Sequence, residues 1–198
     1  MNRKMLKTIL LPIALFPIIA YSQEVDVKTN LIYAATTTPN ISIEWAPTHK
    51  ISIDLQGSYN GWHFGKTERN RKIKHWLIQP ELRFWIYEAF DGHFLGIHPF
   101  YGQYNASNIH LPLRLWQGLK DHRYEGYATG AGFSYGYQWY LGHHWNLEIE
   151  FGFGYAYLNY DLYEFPKCGA CLGSHHKHYF GPTKLAVSIV YLFKSKKR

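Results

Sequence analysis

The chain has 198 residues, of which 46% are hydrophobic, 18% are aromatic and 18% are charged, and its net charge is +7. This composition excludes an intrinsically disordered chain, because such chains are poor in aromatic and aliphatic residues. It also excludes a disulfide scaffold, since only two cysteines are present. Beyond residue 22 no apolar run approaches the ~20 residues of a spanning helix, which excludes a helical membrane bundle.

Residues 1–22 have the pattern of a secretory signal peptide, with a basic start, an apolar run over 9–19 and small residues at a cleavage site. Ala20 and Ser22 are those small residues, so the mature chain is predicted to begin near Gln23. A membrane anchor is the alternative, but the run is short and contains two prolines. Cleavage removes three basic residues and lowers the net charge to +4. The case for a nucleic-acid partner is thereby weakened, and none is predicted.

Apolar and polar residues alternate along most of the remaining chain. Ile51 and Ile53, for example, alternate with Ser52 and Asp54. A period of two predicts a β-strand with one apolar face. Eight segments with this pattern are predicted strands: 25–35, 39–46, 50–60, 73–87, 93–104, 124–141, 145–160 and 182–193.

Short and long connections between these strands largely alternate. Outer-membrane barrels have short turns on one side and long loops on the other. The pattern therefore predicts an all-β fold for residues 23–198, an eight-stranded antiparallel up-and-down transmembrane β-barrel in the outer membrane. Pro80 and Pro99 lie inside predicted strands, where the missing N–H predicts a local distortion. The short connections are 47–49, 88–92 and 142–144, and the long ones are 61–72, 105–123 and 161–181.

The polar face decides between this barrel and a soluble, lipocalin-like one. It is rich in glycine, alanine and serine with isolated charges, which suits a crowded interior better than a water-exposed surface. Buried charges must pair, so the interior is predicted to hold a network of ion pairs that plugs the barrel. A narrow cation path is the alternative, because acidic residues are in excess. The predicted network comprises Glu44, Asp54, Glu81, Arg83, Glu148, Glu150 and Lys184.

Several short motifs resemble those of a family of Bacteroidota outer-membrane β-barrels of unknown function. They are KTNL at 28–31, ATTTPN at 35–40 followed by Glu44, HWL at 75–77 followed by QPELR at 79–83, and GPTK at 181–184. The resemblance implies a small envelope barrel of OmpA or OmpX type, in a family sometimes encoded near fimbrial genes. It implies no established activity.

The predicted loop 161–181 contains a C-x-x-C pair followed by histidines. Two thiolates and two imidazoles are a tetrahedral zinc set, and the predicted ligands are Cys168, Cys171, His175 and His178. A Cys168–Cys171 disulfide is an equal alternative in an exported protein, and free thiols are a third. No other cofactor is predicted.

Two further predicted loops are basic. If they face outward, their cations lie beside lipopolysaccharide phosphates or another anionic ligand. Ordinary solvated loops are the alternative. The residues concerned are Lys66, Arg69, Arg71 and Lys72 in the first loop, and Arg114, Lys120 and Arg123 in the second.

The sequence therefore predicts a non-catalytic barrel with a structural, adhesion or surface-assembly role carried by its loops. Its predicted partners are outer-membrane lipid and lipopolysaccharide, the barrel-assembly machinery, and fimbrial or other surface components. The aromatic end Tyr191-Leu192-Phe193 is of the type that the assembly machinery reads, although a basic tail follows it. The alternative function is a lipid-A-modifying enzyme for acyl transfer or deacylation. Its candidate residues would be His110, Asp121, His122, Ser174 and His175.

Overall fold

The computed structural model describes residues 24–62, 72–107, 122–164 and 171–193. Eight antiparallel strands each pair with their neighbours in the chain, and the first pairs with the last, so the sheet is closed. This confirms the predicted eight-stranded up-and-down barrel. The strands are β1 (Glu24–Asn30), β2 (Asn40–Ala46), β3 (Ile51–Asn60), β4 (Lys72–Trp85), β5 (Gly92–Ser107), β6 (His122–Gly142), β7 (Trp145–Glu164) and β8 (Cys171–Leu192).

The predicted signal peptide, residues 1–22, lies outside the described part of the chain. Among the described residues, none of the helices has the length and hydropathy that crossing a membrane requires.

The first strand ends earlier than the predicted 25–35. Asn30 ends β1 and caps a five-residue helix, α1 (Leu31–Ala35), by accepting a hydrogen bond from the Ile32 amide at 3.0 Å. Asparagine is a favoured N-cap because its side chain satisfies an amide that has no partner within the helix. The apolar residues of α1 continue the hydrophobic pattern of β1, and this hid the end of the strand.

The last strand begins at Cys171, so the predicted start at residue 182 is wrong and most of the predicted loop 161–181 is strand. β6, β7 and β8 have 21, 20 and 22 residues, about twice the ~9–11 residues that a spanning strand needs. Polar and aromatic residues occupy both faces of the first half of β8. The alternation on which strand prediction depends is therefore missing there.

The prolines distort the wall as predicted. Pairing of β4 with β5 runs as far as Ile78–Tyr101 and resumes at Leu82–Ile97 with the same offset, so Pro80 lies opposite Pro99 in the gap. Proline has no N–H to donate to the ladder, and here the two missing donors fall at one place.

An apolar cluster closes the barrel at the end that carries the turns 47–50, 86–91 and 143–144, which we call the short-turn end. Trp85 packs against Phe94 and Phe90 at ring-centroid distances of 4.7 and 5.9 Å. Phe90 comes from the 86–91 turn, where it adopts a left-handed conformation with φ 64° and is buried. Ala46 and Leu192 complete the packing around these rings. We call Trp85, Phe90 and Phe94 the aromatic cork.

Candidate functional site: a charge network in the barrel interior

One buried guanidinium organises the interior. Arg83 Nη1 donates to Glu44 Oε2 at 2.7 Å and to Glu148 Oε2 at 2.9 Å. Its Nη2 donates to Glu150 Oε2 at 2.7 Å, and its Nε donates to Glu81 Oε2 at 3.0 Å. All five side chains are buried. Arginine suits this position because its planar fork has five donors and stays charged.

Two buried lysines share the carboxylates with Arg83. Lys184 Nζ lies 2.6 Å from Glu81 Oε2 and 3.0 Å from Glu150 Oε2. Lys28 Nζ donates to Glu44 and lies 3.1 Å from Glu148 Oε2. Asp54 is 3.6 Å from Lys28, 3.8 Å from Arg83 and 4.0 Å from Lys184. The structure thus brings all seven predicted residues together, and it adds Lys28.

The strand register shows why cations are needed among these carboxylates. Glu44 lies directly opposite Asp54, and Asp54 lies directly opposite Glu81, so three carboxylates form one row across β2, β3 and β4. Like charges opposite each other in a sheet are destabilising. Cations that bridge the row reverse this repulsion, and breaking such a buried arrangement is costly.

Small residues on the neighbouring strands β5 and β6 make room for these long side chains. At Gly96 a β-carbon would overlap the Glu81 carboxylate and the Ser134 hydroxyl, which itself donates to Glu81. Within the described residues, the space left beside the network between Lys28 and Lys184 is about 10 Å³. That is no more than the ~10–15 Å³ that one water molecule needs. The charge network and the aromatic cork therefore fill successive parts of the lumen, with the cork at the short-turn end.

Purified protein in a planar lipid bilayer is accordingly expected to give no discrete conductance steps. Eight strands leave an interior just wide enough for side chains, and here those side chains are paired with each other. Single-channel recording at two salt concentrations checks this. Stable steps whose size scales with salt would favour the cation-path alternative instead.

One buried histidine has neighbours that resemble a catalytic arrangement. His98 Nε2 lies 2.9 Å from Thr183 Oγ1, and its Nδ1 lies 4.0 Å from Glu81 Oε1. The second distance is too long for a hydrogen bond, and Glu81 is already bound to Arg83 and Lys184. His98 is fully buried among the described residues. We assign this group a packing role.

A comparison with known protein families matches residues 7–193 to the family described as Protein of unknown function (DUF3575). The match covers nearly the whole chain. The protein belongs to the DUF3575 family. A comparison with curated proteins finds no match. The family description names no activity.

In this DUF3575 protein the predicted zinc ligands fall only partly on described residues. Cys168 and the side chain of Cys171 lie outside them. His178 Nδ1 is 2.5 Å from Tyr155 Oη, whereas the His175 ring packs against Tyr160. The two histidines are three residues apart on β8, so they alternate to opposite faces. The described residues contain no group of three or more potential ligands placed to hold a metal ion, and the four-ligand set stays a prediction.

The other predicted site residues are also largely outside the described ranges. Of the basic set only Arg123 has a described side chain, which lies 3.4 Å from Glu125 and stacks 4.2 Å from the Tyr163 ring centroid. Ser174 donates to Asp161 at 2.5 Å, and the adjacent His175 points to the other face of β8. Outside the described side chains lie Lys66, Arg69, Arg71, Lys72, Arg114, Lys120, His110, Asp121 and His122.

The outer wall carries an apolar band between two aromatic girdles. At the end opposite the short turns, neighbouring rings follow each other at centroid distances of 5.5, 6.0 and 6.5 Å. Near the short-turn end, Tyr137 contacts Trp139 at 4.5 Å and Trp145 contacts Tyr191 at 5.0 Å. Between the girdles, the outward side chains of the described strands carry no charge. The first girdle comprises Trp76, Tyr101, Tyr127 and Tyr157, and the second comprises Tyr137, Trp139, Trp145 and Tyr191.

Proposed function

We propose that this protein is exported, inserts in the outer membrane as a closed barrel and acts without catalysis or conduction. Its interior is the stabilising scaffold, and its connections at the end opposite the short turns do its work in adhesion, surface assembly or envelope structure. Outer-membrane lipid, lipopolysaccharide, the barrel-assembly machinery and surface components such as fimbriae are its proposed partners.

One observation carries this proposal: between the two girdles, the charged side chains of the described strands face the interior, whereas large apolar side chains cover the outer face. On β7, Glu148 and Glu150 are buried inside, while Ile149 and Phe151 are about half exposed outside. Large apolar side chains exposed over a continuous belt are rare on soluble proteins. On β7 the girdle residues Trp145 and Tyr157 are twelve positions apart, which at the usual strand rise and tilt is about 30 Å. That height suits a bilayer.

Arginine substitutions at two depths test the insertion. Phe151→Arg is expected to lower the free energy of unfolding by about 2–4 kcal/mol, because it places a charge at the middle of the apolar band. Trp145→Arg on the same face of the same strand is expected to cost about 0–1 kcal/mol, because the girdle lies at the interface. The native side chains are matched, with exposed fractions of 50% and 51%. Urea unfolding in lipid vesicles, followed by the heat-modifiable gel shift, measures both.

A protein that does not span a bilayer would show no such dependence on depth. Equal losses at Phe151 and Trp145 would therefore contradict the insertion. The same pair measured in a short-chain detergent serves as a control, since a micelle adapts to the charge and the difference between the two positions shrinks.

The proposed role of the connections is tested on whole cells. External protease is expected to cut the chain between β7 and β8, at 165–170, and to leave the 143–144 turn intact. Mass spectrometry of the fragments identifies the cut. Cleavage only after the outer membrane has been permeabilised would place these connections on the other side and overturn the surface role.

A further inference from the structure

A groove indents the outer wall where the apolar band meets the first girdle. It has a volume of about 530 Å³ and lies across β2, β3 and β4. Gly57 creates it: in the sheet Gly57 pairs with Ile41 on one side and Ile78 on the other, so a position without a side chain stands between two large ones. A β-carbon at Gly57 would have no atom within 4 Å. The outward side chains before and after Gly57 along β3 are large, so the groove is confined to this part of the wall.

A second cavity, of about 520 Å³, adjoins the groove on the side away from the apolar band. Tyr59 and Trp76 line both spaces and stand between them. Part of its lining consists of polar side chains that alternate to the outer face of their strands. These side chains include Lys74, Gln103, Glu125, Asn159 and Asp161.

Trp76 is held in place at the boundary. Its indole Nε1 donates to Gln103 Oε1 at 3.2 Å, and its ring packs against Tyr101 at a centroid distance of 5.5 Å. Trp and Tyr have an apolar ring and a polar tip, which suits the level where acyl chains meet headgroups. The two spaces thus lie side by side and share the wall formed by Tyr59 and Trp76. We call them together the cleft, with an apolar part towards the membrane centre and a polar part beyond the girdle.

We propose that this cleft binds one sugar-headed lipid of the outer leaflet, with an acyl chain in the Gly57 groove and the sugar in the polar cavity. The proposal rests on the membrane insertion proposed above. The groove has the apolar lining that an acyl chain requires, and it opens on the face that meets lipid. The polar cavity mixes one lysine with Glu125 and Asp161, so an anionic headgroup would meet two carboxylates. A hydroxyl-rich, uncharged sugar instead finds donors and acceptors in Gln103 and Asn159.

Native mass spectrometry of the detergent-solubilised mature protein tests the cleft with two probes of identical acyl chains, a hexosyl diacylglycerol and a phosphatidylglycerol. The wild-type protein is expected to retain one hexosyl diacylglycerol and at least tenfold less phosphatidylglycerol. Gly57→Leu fills the groove without meeting any atom at its β-carbon, and it is expected to lower glycolipid retention at least tenfold. Ala131→Leu adds the same side chain to the outer face of β6 and is the matched control, with unchanged retention expected.

Other outcomes contradict specific parts of the proposal. Equal glycolipid retention by wild type and Gly57→Leu would show that the acyl chain does not bind in the groove. Equal retention of both lipids by the wild type, lost for both in Gly57→Leu, would show that the polar cavity does not select a sugar headgroup. Should Gly57→Leu fail to fold, Gln103→Leu replaces it, with the same loss expected for the glycolipid. A wild-type protein without a heat-modifiable folded band would contradict the proposed function as well. A folded barrel that retains no glycolipid would contradict only the lipid site.

Discussion

Replacing Arg83 by methionine is expected to lower the free energy of unfolding by about 3–5 kcal/mol, because it leaves several buried carboxylates without their shared cation. Arg83 contacts Glu44, Glu81, Glu148 and Glu150 within 3.0 Å, and the space of about 10 Å³ beside the network leaves little room for water to replace it. Urea titration in detergent micelles, read by the gel shift of the folded band, measures the change. We expect the midpoint to fall with little change in the slope.

Two variants separate the ion network from a general loss of positive charge. Arg83→Lys keeps the charge but loses the fork that reaches several carboxylates, and we expect an intermediate loss. Arg123→Met removes a cation whose partner Glu125 is half exposed, and a loss below about 1 kcal/mol is expected. If Arg83→Met unfolds at the same urea concentration as Arg123→Met, the network does not stabilise the barrel.

Much of the barrel could be predicted because successive residues of a strand face the lumen and the outer wall in turn. The lumen holds polar and charged side chains, and the outer wall holds apolar ones. Glu148 and Glu150 alternate with Ile149 and Phe151, and this pattern identifies both the strand and its inner face. The same rule applied to β1 would have found Lys28, which alternates with the valines of that strand. Lys28 is absent from the predicted network because the apolar residues of α1 blur the pattern at the end of β1.

The remaining features depend on contacts that a local pattern does not contain. Phe90 looks like part of an ordinary turn, and only the closed barrel shows that its ring packs on Trp85. The outer half of β8 pairs His178 with Tyr157 and His176 with Asn159, although neither face of this half is consistently apolar. Such a strand is held by its ladder with β7, and its partner lies in another part of the sequence.

The second large loss of stability is expected from a substitution in the aromatic cork. Trp85→Ala is expected to cost about 3–5 kcal/mol, the usual range for removing a buried tryptophan or phenylalanine. Trp85 is fully buried, packs on Phe90 and Phe94, and donates its indole N–H to Ser52 Oγ at 2.7 Å. Phe94 in turn lies 4.3 Å from the Arg83 guanidinium. Loss of Trp85 therefore loosens the ring that covers the charge network and admits water from the short-turn end.

This link to the charge network distinguishes the cork from ordinary packing. Trp85→Phe keeps most of the ring volume and loses one hydrogen bond, so about 0.5–1.5 kcal/mol is expected. Trp145→Ala, at the exposed second girdle, is the control and should cost less than Trp85→Ala. If the cork acts by shielding Arg83, the losses from Trp85→Ala and Arg83→Met should fall short of additivity by at least about 0.5 kcal/mol. Strict additivity in a double-mutant cycle would mean that the cork and the network stabilise the barrel independently.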